Sequence, residues 1–354
     1  MSINITSEWN TVVTKLDDSA SIPDNTVYSV AFSPDGTYLA IGGGFTSPAS
    51  YLMIYKRNGD TFTKLANPVC DMLNNSVCSA AFSPDGNYLA IGGAFTNPTP
   101  YFLIYKRDGD TFTKLVDPAS IPCSTIFSIA FSPDGNYLAI GGYLNDSTTC
   151  LIIYKRNGDT FTKLADPATI PDSIVHSVTF SPDGNYLAIG GDFTSPASNL
   201  MIYKRNGDTF TKLTDPVSMP NTTVYAVTFS PDGNHLAIGG TFTSPASRLM
   251  IYKRNGDTFT KLADPGGMPT GPVTSTTFSP DGNYLVIGGY FNDSATYLVI
   301  YKCNGDTFIK LDDSVNTLDD YVYTAAFSPD SKQLAIGGDF NVDAPYLAIY
   351  STTR

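Results

Sequence analysis

The chain has 354 residues, of which only 15% are charged, and its formal net charge at pH 7 is -12. Proteins that bind nucleic acids need clusters of Lys and Arg to displace counterions from phosphates, so this charge argues against a nucleic-acid partner. Abundant Thr, Ser, Asn, Tyr and Phe predict an adhesin-like surface rather than that of a cytosolic enzyme.

A twelve-residue phrase, FSPDGNYLAIGG at 82–93, returns in near-copies along the whole chain. The Phe that opens it stands at Phe32, Phe82, Phe131, Phe180, Phe229, Phe278 and Phe327. A fixed period of this length predicts supersecondary units that stack on their neighbours. We therefore predict one domain, 1–354, with seven units whose first strands begin near residues 27, 77, 126, 175, 224, 273 and 322.

Each unit contains four short segments with strand character, which we name A to D. In the first unit they cover Val27 to Ser33, Tyr38 to Gly43, Tyr51 to Arg57 and Thr61 to Leu65. Ser-Pro-Asp-Gly at 33–36 predicts a tight turn between A and B, and Asn58-Gly59 predicts a two-residue hairpin between C and D. Strands A to C are apolar at successive positions, which predicts burial on both faces, whereas strand D alternates.

Four-stranded antiparallel units repeated at this period are typical of a β-propeller. The sequence therefore predicts an all-β, seven-bladed propeller with strand D on the outside of each blade. The seventh unit contains no D segment after its C strand, while residues 11–16 match that segment. We predict that 11–16 complete the last blade, close the ring and cover an open sheet edge.

The phrase FSPDGxYLAIGG resembles strands A and B of a WD40 repeat, and this resemblance covers essentially the entire chain. It implies a propeller fold. The Trp-Asp pair that ends strand C in that family is Tyr-Lys in six copies, as at Tyr55-Lys56, and Asp-Pro replaces Gly-His before most A strands, as at Asp117-Pro118. The His-Ser-Trp-Asp hydrogen-bond network of typical WD40 blades is therefore expected to be absent.

Residues that could carry chemistry are few and scattered. The five cysteines fall at unrelated positions of different units, which argues against a disulfide framework and against zinc: Cys70, Cys78, Cys123, Cys150 and Cys303. His176 and His235 take positions that are aromatic in other units, so we interpret them as structural substitutions. With no pair of acidic residues suited to glycoside hydrolysis and no phosphate-binding loop, we predict a non-catalytic protein without metal or cofactor.

The basic residues are concentrated in the Tyr-Lys-Arg and Thr-Lys-Leu phrases, which we interpret as a solvated outer rim. The exceptions are Arg248, Lys332 and Arg354. No basic segment followed by an apolar one opens the chain, and no run of about 18 apolar residues occurs, so we expect neither a Sec-type signal nor a transmembrane segment.

The copies differ from one another mainly at one end of the predicted ring, in the B–C and D–A connections. Three positions vary there: one early in strand A, one after the Gly-Gly pair and one at the start of strand C. The predicted binding residues on this variable face are Tyr28, Tyr51, Tyr101, Phe127, Tyr143, His176, Asp192, Tyr225, Arg248, Tyr290, Tyr297, Tyr323, Asp339 and Tyr346.

This variable face is aromatic and acidic, and aromatic side chains supply large contact areas at low entropic cost. It suits a basic protein, a glycan or a neighbouring subunit, although loops also vary without selection. We predict a binding or structural scaffold, displayed on a cell surface or a virion such as a phage tail or capsid, as part of a larger assembly. A carbohydrate-binding propeller and an intracellular, cytoplasmic protein-interaction scaffold are the alternatives, and the unevenness of the three positions counts against repeated sugar pockets.

Overall fold

The computed structural model describes residues 23–45, 51–68, 75–94, 101–120, 124–143, 150–194, 199–243, 247–291, 297–311, 320–340 and 346–351. These residues form seven antiparallel sheets, six of four strands in the spatial order A-B-C-D and one of three in the order A-B-C. The predicted segment 11–16 lies outside the described residues.

The strands are numbered along the chain. The A strands are β1 Val27–Phe32, β5 Val77–Phe82, β9 Ile126–Phe131, β13 Val175–Phe180, β17 Val224–Phe229, β21 Val273–Phe278 and β25 Val322–Phe327. The B strands are β2 Tyr38–Gly43, β6 Tyr88–Gly93, β10 Tyr137–Gly142, β14 Tyr186–Gly191, β18 His235–Gly240, β22 Tyr284–Gly289 and β26 Gln333–Gly338. The C strands are β3 Leu52–Asn58, β7 Phe102–Asp108, β11 Leu151–Asn157, β15 Leu200–Asn206, β19 Leu249–Asn255, β23 Leu298–Asn304 and β27 Leu347–Ser351. The D strands are β4 Thr61–Lys64, β8 Thr111–Lys114, β12 Thr160–Lys163, β16 Thr209–Lys212, β20 Thr258–Lys261 and β24 Thr307–Lys310.

The seven sheets form a ring of blades around the A strands. Each A strand contacts the A strand of the next blade, and β25 of the last blade contacts β1 of the first. Seven hydrophobic clusters lie between adjacent blades, and one of them joins Ala335 and Ile349 of blade seven to Val27 and Leu39 of blade one. The prediction of an all-β, seven-bladed propeller is confirmed.

The A–B turn is rigid because the side chains of its own residues complete its hydrogen bonds. In the first blade the Ser33 hydroxyl donates to Asp35 Oδ1 at 2.5 Å and accepts from the Tyr38 N–H at 2.8 Å. Gly36 donates its N–H to the Ser33 carbonyl, with φ at +69°, a conformation that glycine adopts without strain. The near-identical Ser-Pro-Asp-Gly turns of six copies therefore reflect this geometry, and Ser331 takes the glycine position with φ of +57° in the seventh.

The C–D turn differs from its prediction by one residue. Asn58 pairs with Thr61, so the two loop residues are Gly59 and Asp60 and not Asn58 and Gly59. Gly59 has φ of +61°, whereas Asp60 does not have positive φ. A two-residue loop with Gly first is the type II′ turn, whose twist matches that of the flanking strands.

The Gly-Gly pair that ends each B strand allows two close approaches of the backbone to its neighbours. A Cβ on Gly42 would lie 2.5 Å from the Val77 side chain of the next blade, and one on Gly43 would lie 2.3 Å from the Thr26 carbonyl oxygen. The first glycine therefore brings neighbouring blades together, and the second brings strand B against the start of strand A.

The basic residues of the Tyr-Lys-Arg phrase join blades, and the interpretation as a solvated rim was wrong for the arginines, whereas the lysines are about half exposed. Between blades one and two, the Tyr38 hydroxyl and Lys56 Nζ donate to the two oxygens of Asp110, at 2.6 Å and 2.8 Å. The Arg107 guanidinium lies 4.9 Å from the centre of the Tyr38 ring and also pairs with Asp35 at 3.5 Å. Equivalent arginines are only 11% to 18% exposed, because each is covered by the preceding blade.

A second set of bonds joins the A strands near the axis. At six of the seven blade junctions a Ser or Thr hydroxyl of one A strand accepts the N–H of a residue in the next, as Ser128 does from Val178 at 3.0 Å. The junction between blades five and six departs from this pattern, because Ala226 occupies the hydroxyl position.

The same junction between blades five and six carries two further substitutions. His235 replaces the B-strand tyrosine and contacts Asp306 at 2.9 Å, and Cys303 replaces the C-strand arginine. Burial, together with the nearby charges of Asp281 and Asp232, raises the pKa of Cys303 to about 12, so the thiol is uncharged near neutral pH. Among the described residues, the junction thus lacks the Arg–Asp ion pair and the cation–π contact that Arg254 makes between blades four and five, while Lys253 still pairs with Asp306.

Candidate functional site

A β-bulge interrupts every A–B strand pair early in strand A. In the first blade Val27 pairs with Gly43 and Ser29 with Gly42, so Tyr28 has no partner on strand B. The same shift recurs in the other six blades. The seven bulged residues are Tyr28, Cys78, Phe127, His176, Tyr225, Thr274 and Tyr323. Bulges of this kind redirect a side chain relative to the pleat of the strand.

All seven bulged residues line a single cavity of about 690 Å³. Because they come from the innermost strand of every blade, this cavity lies on the axis of the ring, and we call it the axial cavity. The other residues of its wall are Ser76, Ala94, Thr125, Pro272, Tyr290 and Tyr321. The structure therefore brings six of the predicted binding residues to one wall: Tyr28, Phe127, His176, Tyr225, Tyr290 and Tyr323.

Tyr321 was not among the predicted residues. It directly precedes strand β25, and its carbonyl accepts the N–H of Asp339 at 3.0 Å, a contact repeated in every blade. The residue before each A strand varies between copies as strongly as the three chosen positions do. That variation was visible in the sequence and could have identified Tyr321.

Four tyrosines from blades six, seven and one form a continuous group on one side of the axial cavity, which we call the tyrosine arc. Tyr290 stacks on Tyr321 with ring centres 4.4 Å apart, and Tyr321 stacks on Tyr323 at 6.0 Å. Tyr323 contacts Tyr28 across the junction of the last and first blades, at 5.6 Å. The rings of the first three lie within 14° of parallel at each contact.

A second aromatic group lies on blades three to five. The His176 ring lies between Phe127 and Tyr225, with ring centres at 5.5 Å and 5.1 Å, and its Nε2 is 3.0 Å from an Asp192 oxygen. Cys78, on blade two, separates this group from the tyrosine arc. Burial raises the pKa of Cys78 to about 11, so it is a neutral thiol near neutral pH.

The cavity end of the ring is acidic. Burial raises the pKa of Tyr28 and of Tyr323, and the nearby carboxylate of Asp339 raises both further. Arg248 is the sole Lys or Arg in the B–C connections of the sequence, and its Nη1 donates to the Thr241 carbonyl at 2.5 Å. Its guanidinium is thus held within its own connection.

The remaining predicted residues lie outside the described wall of the axial cavity, although Tyr297 meets Tyr290 of the tyrosine arc with ring centres 6.2 Å apart. Four tyrosines at the starts of C strands are partly buried and pack against the hydrophobic clusters between blades, outside the described wall of the axial cavity: Tyr51, Tyr101, Tyr297 and Tyr346. Tyr143 is 48% exposed and also lies outside that wall. The three variable positions therefore do not form one concentric surface.

No group of three or more His, Cys, Asp or Glu residues that could hold a metal ion occurs in the part of the chain that the structure describes. In the same part, no helix has the length and apolar character needed to cross a bilayer.

A family model for the WD domain, G-beta repeat, matches residues 15–46, 70–94, 119–152, 168–194 and 265–295. No curated protein matches the chain. Seven antiparallel sheets around an axis, six of four strands and one of three among the described residues, define the class as a seven-bladed β-propeller. The chain is a WD40-like propeller, atypical in having Tyr-Lys where the family has Trp-Asp. WD40 propellers are generally non-catalytic scaffolds that bind proteins, which suggests the same general role for this chain.

Proposed function

We propose that this protein is a non-catalytic scaffold that binds a protein partner with the cavity end of its ring. The observation that carries the proposal is the set of seven bulges. Each directs the side chain of a position that varies between blades into one shared cavity, while the A–B and C–D turns at the opposite end are repeated nearly unchanged. A concave wall of mostly aromatic side chains with a few polar groups is typical of a binding site.

The chemistry of the wall supports binding over catalysis. Cys78 is a neutral thiol, and His176 is held between two aromatic rings with Asp192 at its Nε2. In the described part of the chain, no hydroxyl or thiol is hydrogen-bonded to the His176 ring. A nucleophile activated by a neighbouring base, as hydrolases use, therefore has no counterpart in this wall.

The setting in which the scaffold acts is also part of the proposal. We propose that residues 1–354 form a single propeller displayed on a cell surface or a virion, as a component of a larger assembly. Its low content of charged residues and its abundance of Thr and Asn support display. Sedimentation of native material tests this, because a free monomer would contradict it.

Substitution on the wall tests the binding site. The immobilised chain is used to retain partners from an extract of its source, in parallel with Tyr290→Ala and with Thr63→Ala, whose side chain is exposed on strand β4. We expect Tyr290→Ala to lose the partner and Thr63→Ala to keep it, with both variants melting close to the parent. A partner retained equally by Tyr290→Ala would contradict the proposal.

A further inference from the structure

We propose that the tyrosine arc and Asp339 together form a seat for a cationic side chain, Arg or Lys, of the protein partner. This inference rests on the proposed scaffold function and adds the chemistry of the group that is recognised.

The geometry of the arc suits a cation. Tyr290, Tyr321 and Tyr323 are stacked in sequence, and Tyr28 meets the last of them at an angle of 59°. Tyr321 is 36% exposed, so part of this residue remains accessible to a ligand. The negative face of an aromatic ring attracts a guanidinium or ammonium within about 6 Å of its centre.

The chain itself already uses this contact elsewhere. At four blade junctions an arginine guanidinium lies 4.8 Å to 4.9 Å from the centre of a tyrosine ring, with an aspartate beside it. The arc and Asp339 together contain the same two kinds of group, tyrosine rings and a carboxylate. Among the described residues, however, no arginine or lysine of the chain occupies the arc.

The carboxylate of Asp339 supplies a negative charge beside the tyrosine arc. It is exposed, it lies close enough to Tyr28 and Tyr323 to raise the pKa of both, and its carboxylate has no hydrogen-bond or ion-pair partner among the described residues. Asp192, by contrast, is paired with His176 on the other side of the cavity. An uncompensated carboxylate beside stacked aromatic faces favours a cation over a neutral sugar, although sugars also stack on aromatic rings.

A matched pair of labelled peptides tests the seat. One carries a single arginine in a Gly-Ser context, the other carries citrulline at that position, and binding is followed by fluorescence polarisation. We expect the arginine peptide to bind more tightly, and Tyr321→Ala to weaken it about two- to thirty-fold, the range of one cation–π contact. Tyr321→Phe keeps the ring and should bind like the parent.

The contribution of the Asp339 charge to peptide affinity is tested against a matched aspartate at the opposite end of the ring. Asp339→Asn and Asp108→Asn remove the same charge, and Asp108 stands where other blades have Asn, as at Asn157. We expect a several-fold loss of affinity only for Asp339→Asn. Equal affinity for the arginine and citrulline peptides, or equal losses of affinity in the two Asp variants, would contradict the proposed seat for a cationic side chain. A neutral oligosaccharide that competes with the peptide while Asp339→Asn has no effect would assign the arc to a sugar.

Failure of the seat and failure of the scaffold proposal give different results. If a partner is retained in a Tyr290-dependent manner but is indifferent to Asp339→Asn and to added arginine amide, the seat is wrong and the scaffold stands. If the arginine peptide requires Asp339 and Tyr321 but no partner depends on Tyr290, the scaffold proposal is wrong and the seat stands.

Discussion

The junction between blades five and six offers a test of how the ring is held together, because one bond is missing there by a single substitution. Ala226→Ser places a hydroxyl where six other junctions have one, and it should accept the N–H of Thr276 in the next A strand. Ala226 is 6% exposed, close to the 7% of Ser29 and Ser275, which make the equivalent bond. The new hydroxyl therefore enters an environment that already accommodates it elsewhere.

One intramolecular hydrogen bond contributes about 0.5 to 1.5 kcal/mol to the free energy of unfolding. For a chain of 354 residues the entropy of unfolding at the midpoint is roughly 0.7 kcal/mol per kelvin, so we expect Tm to rise by about 1 to 2 °C. Calorimetry and the midpoint of guanidinium unfolding both measure this change.

The reverse substitution, Ser177→Ala, serves as the control. It removes the acceptor for the Val227 N–H, bonded at 3.1 Å, and should lower stability by about 1 to 2 kcal/mol. An Ala226→Ser variant that melts at or below the parent, while Ser177→Ala has no effect, would refute the view that these hydroxyls hold adjacent blades together.

Three further substitutions or conditions follow from the structure. Gly190→Ala should lower the free energy of unfolding by about 1 to 3 kcal/mol, because the new Cβ would lie 2.3 Å from a side chain of the next blade. Gly158→Ala, where there is open space but φ is positive, should cost less. Urea midpoints in the reverse order would contradict the close packing of blades. Tyr154 is fully buried, so Tyr154→Ala should lower the free energy of unfolding by about 3 to 5 kcal/mol. Tyr143 is exposed, so Tyr143→Ala should change it by less than about 0.5 kcal/mol. Equal shifts in Tm would show that Tyr143 is part of the core. Although burial opposes it, hydrogen bonds from Ser132 and Arg205 hold the pKa of Asp134 at about 2, below its ordinary 3.8. Its stabilising effect is therefore complete above pH 3.8 and lost as the pH falls towards 2, so Tm should fall across that interval, less steeply in Asp134→Asn; identical profiles would contradict the assignment.

The strands could be predicted from the sequence because their signals are local. Apolar runs, Ser-Pro-Asp-Gly turns and the fixed period place β1 to β4 within a residue of their observed limits. The one-residue error in the C–D turn has a physical cause, since both Asn-Gly and Gly-Asp make two-residue hairpins. The register of the strands, which local composition does not determine, selects Gly59 and Asp60.

The contacts between blades could not be predicted in the same way. Arg205 pairs with Asp134, 71 positions earlier in the chain, and also covers the ring of Tyr137. Inspection of one repeat shows an arginine next to a turn, which resembles a solvated charge. Only the stacking of two blades shows that the arginine, the aspartate and the tyrosine of different repeats meet.

The candidate site was predicted in part. The bulged position was identified because it varies between copies, and six predicted residues line the axial cavity. The residues at the starts of C strands vary in a similar way, but their tyrosines pack against the clusters between blades. Variation alone does not tell whether a side chain lines the axial cavity or packs between blades. The β-bulge makes this distinction, because it determines the register of the backbone and so the direction of the side chain.

The bulges also have a consequence for how such a ring can diverge. A residue that stands outside the strand ladder can be exchanged without shifting the pairing of its neighbours, and the seven blades already hold five kinds of side chain there: Tyr, Cys, Phe, His and Thr. Each position can therefore change independently of the others. A repeated scaffold of this kind could acquire a new partner through single substitutions, with the blades that surround the cavity left as they are.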